Sequence, residues 1–169
     1  TNYFGLLNVC HGLFPLLRSH ARVVNVSSSA GNLSRITGKS LRDRFTDKNL
    51  TEEKLTNLML EFVEATKIGN HEALGWGKSA YAISKIGVTA LTFIQQRHFL
   101  TDSRSDIVVN CVHPGSVSTD MSSHTGSLTI DQGADAPLYL ALLPANVKAP
   151  QGEYVWFNRK TVSWLNPPK

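Results

Sequence analysis

Apolar residues along the chain fall into short continuous runs and into longer stripes with helical spacing. The short runs, at residues 22–28, 106–113 and 152–157, are rich in β-branched or aromatic side chains and are bounded by polar or turn-forming residues. Runs of this kind are typical of strands that are buried on both faces of a parallel sheet. The pattern therefore predicts three parallel strands joined by right-handed crossovers that contain helices.

The first two helical stretches differ in composition. Residues 1–18 carry enough apolar side chains to predict a largely buried helix, kinked at Pro15. Residues 39–72 form a charged helical segment with one apolar stripe, and that stripe either packs on the body of the same domain or faces a substrate or an interface. Thr51 is the expected N-cap of this segment and Gly69 the expected stop.

Two further helices are predicted in the second half of the chain. One begins near Ser79 and continues to about Phe99, and the other runs from about 129 to 143. Residues 164–169 are expected to form an irregular terminus from which Trp164 packs back onto the body. The elements add up to one α/β domain, which 169 residues are enough to build.

The composition of the chain argues against several classes of function. The chain is 41% hydrophobic and 18% charged, and its net charge of +4 is not concentrated in a basic block with aromatic residues, so no nucleic-acid surface is expected. No apolar run approaches the ~20 residues that a membrane helix needs. Cys10 and Cys111 lie in apolar surroundings and are interpreted as buried thiols of a reducing, cytoplasmic compartment. The spacing of His, Cys and carboxylates indicates no metal site.

Tyr81 and Lys85 are the first candidates for chemistry. They lie four residues apart on a predicted helix, so both side chains leave the same face. A fixed positive charge near a phenol favours the phenolate, which suits a group that donates a proton to a carbonyl oxygen and takes it back. Taken alone, a Tyr and a Lys four residues apart on a helix are more often a solvated surface pair than a catalytic pair.

Other residues are predicted to join this pair at one edge of the sheet. Ser27 and Ser28 end the first strand, and Pro114 and Gly115 end the second. Since ligands bind at the carboxyl ends of strands in open α/β sheets, these residues and the Tyr81 helix are expected to meet there. Ser27 competes with Ser28 as the active hydroxyl, and Pro114-Gly115 can also be a plain turn.

The chain resembles a short-chain dehydrogenase/reductase, and within that superfamily it is similar to the monomeric NADPH-dependent carbonyl reductases. The match is carried by residues 1–5 (TNYFG), 23–28 (VVNVSS), 81–85 (YAISK) and 114–121 (PGSVSTDM). The resemblance implies a doubly wound parallel sheet of Rossmann type, of which residues 1–169 would be the C-terminal catalytic part with the last three strands. The segment at 39–72 would be the insertion that keeps the full-length protein a monomer.

The resemblance also implies roles for individual residues. Tyr81 would be the general acid/base, Ser28 would orient the substrate carbonyl, Lys85 would favour the phenolate and hold the nicotinamide ribose, and Asn2 would position the helix and a proton relay. Asn2 can also be a simple helix cap. The residues expected to contact the cofactor, NADPH, are Tyr81, Lys85, Pro114, Gly115, Val117 and Thr119. Those expected to line the site of a small carbonyl substrate are Ser28, Ala30, Trp76 and Ser116.

The chain departs from this family in two respects. One is Ser116, at a position of the substrate mouth that is often bulky in the family, so a more open pocket is expected. The other is the phosphate-binding motif. The chain contains no Gly-x-x-x-Gly-x-Gly fingerprint, with which the family binds the pyrophosphate, so it is expected to be part of a full-length reductase. Three functions stay open at this point. They are NADPH-dependent reduction of ketones, aldehydes or quinones, a truncated non-catalytic binding or regulatory module, and an enzyme for steroid, retinoid or pteridine alcohols. The segment at 39–72 argues against the third, and the residues present do not separate NADP from NAD.

Overall fold

The computed structural model describes residues 1–166, and their three strands form one sheet in the order β1–β2–β3. Strand β1 is Arg22–Val26, β2 is Val108–His113 and β3 is Tyr154–Trp156, and both neighbouring pairs are parallel. The predicted α/β class with three parallel strands is confirmed. Each strand is shorter than its apolar run. Strand β1 ends before Ser27, β2 begins only at Val108, and β3 covers only residues 154–156.

One α-helix precedes β1, three lie between β1 and β2, and one lies between β2 and β3. They are α1 Asn2–Leu13, α2 Lys39–Phe45, α3 Glu52–Ile68, α4 Ala80–Phe99 and α5 Ile130–Ala141. Their starts follow local capping signals: the Thr51 hydroxyl accepts from the Lys54 amide and the Ser79 hydroxyl from the Ala82 amide. Gly69 ends α3 with φ +83°, a conformation that glycine adopts without steric cost. The predicted cap and stop of α3 are confirmed.

Helices α4 and α5 cover opposite faces of the sheet. Successive side chains of β2 point alternately to these two faces. Cys111 belongs to the apolar core that contains Ile86 of α4, whereas Val112 packs in a second core with Leu140 of α5. Both cysteines are buried and free, as predicted. Helix α3 joins the first core through a buried stripe, so its apolar face packs on the body of the same domain.

Helix α1 is less buried than its composition predicts. It ends at Leu13, and a 3-10 turn at Phe14–Leu16 containing Pro15 replaces the expected kinked helix through residue 18. Its buried residues, Tyr3, Leu7 and Cys10, follow one helical face, which is the face that packs against α4. The opposite face includes the exposed side chains Val9 and Leu13.

A buried ion pair ties β1 to the turn before β2. Arg22 Nη2 lies 2.9 Å from Asp106 Oδ2, and the two side chains are 6% and 7% exposed. Burial alone would raise the pKa of the Asp106 carboxyl. Hydrogen bonds from the Asn146 amide, His20 and Arg22, together with the charge of Arg22, outweigh that effect and lower this pKa to about 2.

This pair should make stability depend on acid in a defined window. We expect Asp106→Asn to lower the free energy of unfolding at pH 7 by about 1–3 kcal/mol. The difference from wild type should be fully present above the unfolded carboxyl pKa, near ~4, and should shrink as the pH falls toward about 2. Urea unfolding between pH 7 and pH 2.5 measures it. The control is Asp43→Asn, in an exposed pair with Lys39, which should change little at any pH.

Candidate active site

The carboxyl ends of the three strands form one rim, which the first turns of α4 cover. In the sheet register Val26 lies beside Val112, and His113 beside Trp156, so the strands end at a common level. Lys85, in the second turn of α4, reaches across this rim, and its Nζ donates to the Val26 carbonyl at 2.9 Å. A cation is thereby fixed at the point where β1 ends.

Tyr81 lies directly beside that cation. Lys85 Nζ is 5.8 Å from the centroid of the Tyr81 ring, and the ring is 52% exposed. Burial lowers the pKa of the Lys85 ammonium, whose hydrogen bond to a carbonyl holds it in place. The arrangement presents an accessible phenol next to a partly desolvated positive charge.

The two serines after β1 have different environments. Ser27 is 2% exposed, and its hydroxyl bonds Thr89 Oγ1 at 2.7 Å and the Lys85 carbonyl at 3.3 Å. Ser28 is only partly buried, and its Oγ accepts from the Ala30 amide at 3.1 Å as the cap of the 3-10 turn Ser29–Gly31. Ser27 is therefore used in packing β1 on α4, whereas the hydroxyl hydrogen of Ser28 can be donated to a ligand.

Asn2 contacts α4 rather than capping its own helix. Its Nδ2 donates to Ser84 Oγ at 3.0 Å, and the Ser84 hydroxyl in turn donates to the Tyr81 carbonyl at 2.7 Å. The N-cap position of α1 belongs to Thr1. Asn2 thus connects the start of α1 to the turn that carries Tyr81.

The loop after β2 folds back on itself. Gly115 has φ +89°, and a Cβ at this position would overlap the side chain of Leu128. Val117 pairs with Leu128, since the Ser118 amide donates to the Leu128 carbonyl at 2.8 Å and the Leu128 amide donates to the Ser116 carbonyl at 2.9 Å. The expected cofactor residues Pro114, Gly115, Val117 and Thr119 all lie on this closed loop, where Ser116 is exposed.

Trp76 does not lie where the sequence predicted. It is 2% exposed, and its ring packs against Phe45 and Phe62 with centroids 6.2 and 5.5 Å away. Backbone hydrogen bonds hold the surrounding segment, because the Gly75 carbonyl accepts from the amides of residues 37 and 38. The expectation that Trp76 lines the substrate site is wrong, since a large apolar ring gains more from burial between α2 and α3.

Two contacts to the Ser28 turn had no signal in the sequence. The Tyr154 hydroxyl donates to the Ser28 carbonyl at 2.9 Å, and the Trp164 indole donates to the Gly31 carbonyl at 2.7 Å. The predicted packing of Trp164 onto the body is confirmed, whereas residues 167–169 of the predicted irregular tail lie outside the described residues. Partners more than 120 residues apart leave no local pattern by which they can be recognised.

The remaining polar groups at the rim are structural. His113 packs edge-to-face on Trp156 with ring centroids 5.3 Å apart, and burial lowers its pKa.

Between residues 1 and 166, His, Cys, Asp and Glu side chains nowhere gather in a group of three or more that could hold a metal ion. In the same part of the chain, no helix combines the length and the hydropathy that crossing a membrane requires.

Comparison with known proteins gives a consistent result, although no protein-family model matches the chain. It is 45% identical to carbonyl reductase (NADPH) 3 of Rattus norvegicus over 157 residues, which cover 92% of this chain and 57% of that protein. It is 41% identical to carbonyl reductase (NADPH) 1 of Bos taurus over 167 residues, which cover 97% of this chain and 60% of the bovine protein. The chain therefore spans less than two thirds of the length of these curated relatives.

Solved structures agree with the sequence comparison. Salutaridine reductase from Papaver somniferum superposes with a TM-score of 0.81 at 32% identity, covering 90% of this chain and 51% of that one. Menthone neomenthol reductase from Mentha piperita superposes with a TM-score of 0.74 at 31% identity, covering 93% of this chain and 48% of that one. By sequence and by fold, the chain is similar to part of the carbonyl reductases and other reductases of the short-chain dehydrogenase/reductase family.

Proposed function

We propose that the chain carries the proton-transfer site of an enzyme that reduces ketones, aldehydes or quinones with NADPH. The observation that carries the proposal is the position of Lys85, fixed on the Val26 carbonyl and facing the exposed ring of Tyr81. The curated relatives support it, because they are named as carbonyl reductases with NADPH.

In this proposal two side chains act on the substrate oxygen, and a third acts on Tyr81. Tyr81 gives its hydroxyl proton to the carbonyl oxygen, and Ser28 donates a hydrogen bond to the same atom. Lys85 stabilises the negative charge that Tyr81 acquires when the proton has left. Asn2 acts through Ser84 and holds the turn that carries Tyr81.

The residues at the rim suit one end of a dinucleotide. NADPH, when bound, supplies the hydride. Lys85 would hold the nicotinamide ribose, and the loop with Pro114, Gly115, Val117 and Thr119 would frame the nicotinamide. The common position of these residues supports the fit, because Lys85 Nζ reaches the Val26 carbonyl where β1 ends, and Pro114 and Gly115 follow the carboxyl end of β2.

The proposal extends to the substrate and to the assembly. Ser28, Ala30 and Ser116 would face the substrate, and an exposed serine at 116 would leave the mouth of the site open to varied carbonyl compounds. Helices α2 and α3 would be the insertion that keeps the full-length protein a monomer. The two buried free thiols are compatible with a cytoplasmic location.

The decisive experiment measures NADPH consumption with a panel of ketones, aldehydes and quinones. It is run on the 169-residue chain and, in parallel, on the longest gene product that contains it. Ser28→Ala should lower kcat by about 10²-fold or more, whereas Ser29→Ala, an exposed neighbour, should stay within about twofold. Equal effects of the two substitutions would reject the role of Ser28, and the absence of turnover in both folded preparations would reject the reductase.

One observation favours a second candidate, a non-catalytic binding or regulatory module. Residues 1–169 contain no Gly-x-x-x-Gly-x-Gly fingerprint for the pyrophosphate. Titration of NADPH into the 169-residue chain separates the two candidates. A dissociation constant in the micromolar range supports the reductase, and the absence of binding by a chain that folds normally supports the module.

A further inference from the structure

The short turn that follows β1 is held by contacts with α4 and by two side chains from distant parts of the chain. The turn comprises Ser28 and the 3-10 residues Ser29–Gly31, and its internal bonds run from the Ala30 amide to Ser28 Oγ and from the Gly31 amide to the Ser28 carbonyl. Gly31 is buried against α4, where a Cβ would lie 2.9 Å from Ser27 Oγ and 3.0 Å from the Lys85 carbonyl. These contacts fix the turn on the side of α4 only.

Tyr154 holds the turn from the direction of β3. It is 1% exposed, and its hydroxyl donates to the Ser28 carbonyl at 2.9 Å, in addition to the bond that this oxygen accepts from the Gly31 amide. Burial raises the pKa of the Tyr154 phenol, so the hydroxyl keeps its proton and remains a donor near neutral pH. A carbonyl that accepts two hydrogen bonds loses much of its freedom to rotate.

Trp164 holds the other end of the turn. Its indole Nε1 donates to the Gly31 carbonyl at 2.7 Å, and its own carbonyl accepts from the Leu33 amide at 3.3 Å. The ring is buried and packs against Phe93 of α4 with centroids 5.4 Å apart. Tyr154 and Trp164 therefore donate hydrogen bonds to the first and last carbonyls of one turn, those of Ser28 and Gly31.

We propose that Tyr154 and Trp164 are positioning residues for the hydroxyl of Ser28. They act by fixing the carbonyl of Ser28 and the carbonyl of Gly31. The backbone of the turn then has one orientation, and the Ser28 side chain is held in one direction. The proposal rests on the function proposed above for Ser28, because it gives the two aromatic residues a role in the reaction without any contact to the substrate.

The first test needs neither cofactor nor turnover. Tyr154→Phe removes one oxygen atom and keeps the ring, and amide hydrogen exchange followed by NMR reports the turn directly. We expect exchange at Ala30 and Gly31 to become about fivefold to tenfold faster, while amides in the middle of α5 keep their wild-type rates. Trp164→Phe should do the same at residues 31–33, and Tyr139→Phe is the control. Unchanged rates at Ala30 and Gly31, or a uniform increase along the whole chain, would overturn the proposal.

The second test is a double-mutant cycle on the active preparation. Tyr154→Phe should lower kcat by about tenfold and change KM for the carbonyl substrate by less than about twofold, because the substrate does not touch Tyr154. In the Ser28→Ala background the same substitution should have no further effect. An equal loss in both backgrounds would show that Tyr154 acts independently of Ser28. If wild type shows no turnover, the proposed function fails, and the exchange rates alone decide whether the turn is held in this way.

Discussion

Tyr81→Phe is expected to lower kcat for carbonyl reduction by about 10²–10⁴-fold, the range that a positioned proton donor contributes. The substitution removes the hydroxyl and leaves the ring in place. Because that ring is 52% exposed and contributes little to the core, the protein should keep its stability. Steady-state kinetics at saturating NADPH measures the loss, and a thermal unfolding curve verifies that the variant is folded.

The matched control for this variant is Tyr139→Phe. Tyr139 lies on α5, where its ring faces Arg159 with 5.2 Å between the guanidinium carbon and the ring centroid. Both tyrosines thus lie beside a cation, but only Tyr81 is at the rim of the sheet. Tyr139→Phe should leave kcat within about twofold of wild type. Near wild-type turnover of Tyr81→Phe would contradict its role as the proton donor, whatever the control shows.

Trp76→Ala is expected to destabilise the protein by about 3–5 kcal/mol, the usual cost of deleting a large buried aromatic ring. The ring is 2% exposed and packs against Phe45 of α2 and Phe62 of α3, so its removal leaves a cavity between these helices and the core. Urea unfolding followed by circular dichroism measures the loss. The slope of the transition should stay constant if only the folded state is affected.

Leu74→Ala is the control for Trp76, since its side chain lies two residues away and is 54% exposed. Its free energy of unfolding should change by no more than about 0.5 kcal/mol. Similar costs for the two variants would mean that Trp76 is not a core residue. A second readout concerns the substrate: if Trp76 is only structural, the KM for a carbonyl compound should be the same in Trp76→Phe and in wild type.

Local signals account for the part of the fold that the sequence predicted. The β-branched runs identify the strands because both faces of a parallel sheet are apolar, and the hydroxyl of Thr51 and the left-handed Gly69 mark the ends of α3 through bonds to near neighbours. The candidate site was predicted in the same manner, from short motifs such as Tyr81 to Lys85. Each of these signals involves residues a few positions apart.

The features that the sequence did not predict depend on distant partners. Burial of Trp76 depends on where α2 and α3 pack, and the bonds from Tyr154 and Trp164 to the Ser28 turn join residues 126 and 133 positions apart. Helix α1 was predicted to be largely buried because its composition is apolar. Its exposure depends instead on which of its faces another element covers, and composition does not contain that information.

The bond from Lys85 to the Val26 carbonyl has a consequence for sequence variation at the site. A backbone carbonyl can hold an ammonium without neutralising it, whereas a carboxylate in the same place would cancel the charge that faces Tyr81. Every amino acid supplies the same carbonyl, and the side chain of Val26 is largely exposed. Position 26 can therefore change its side chain while the cation beside the phenol stays where it is.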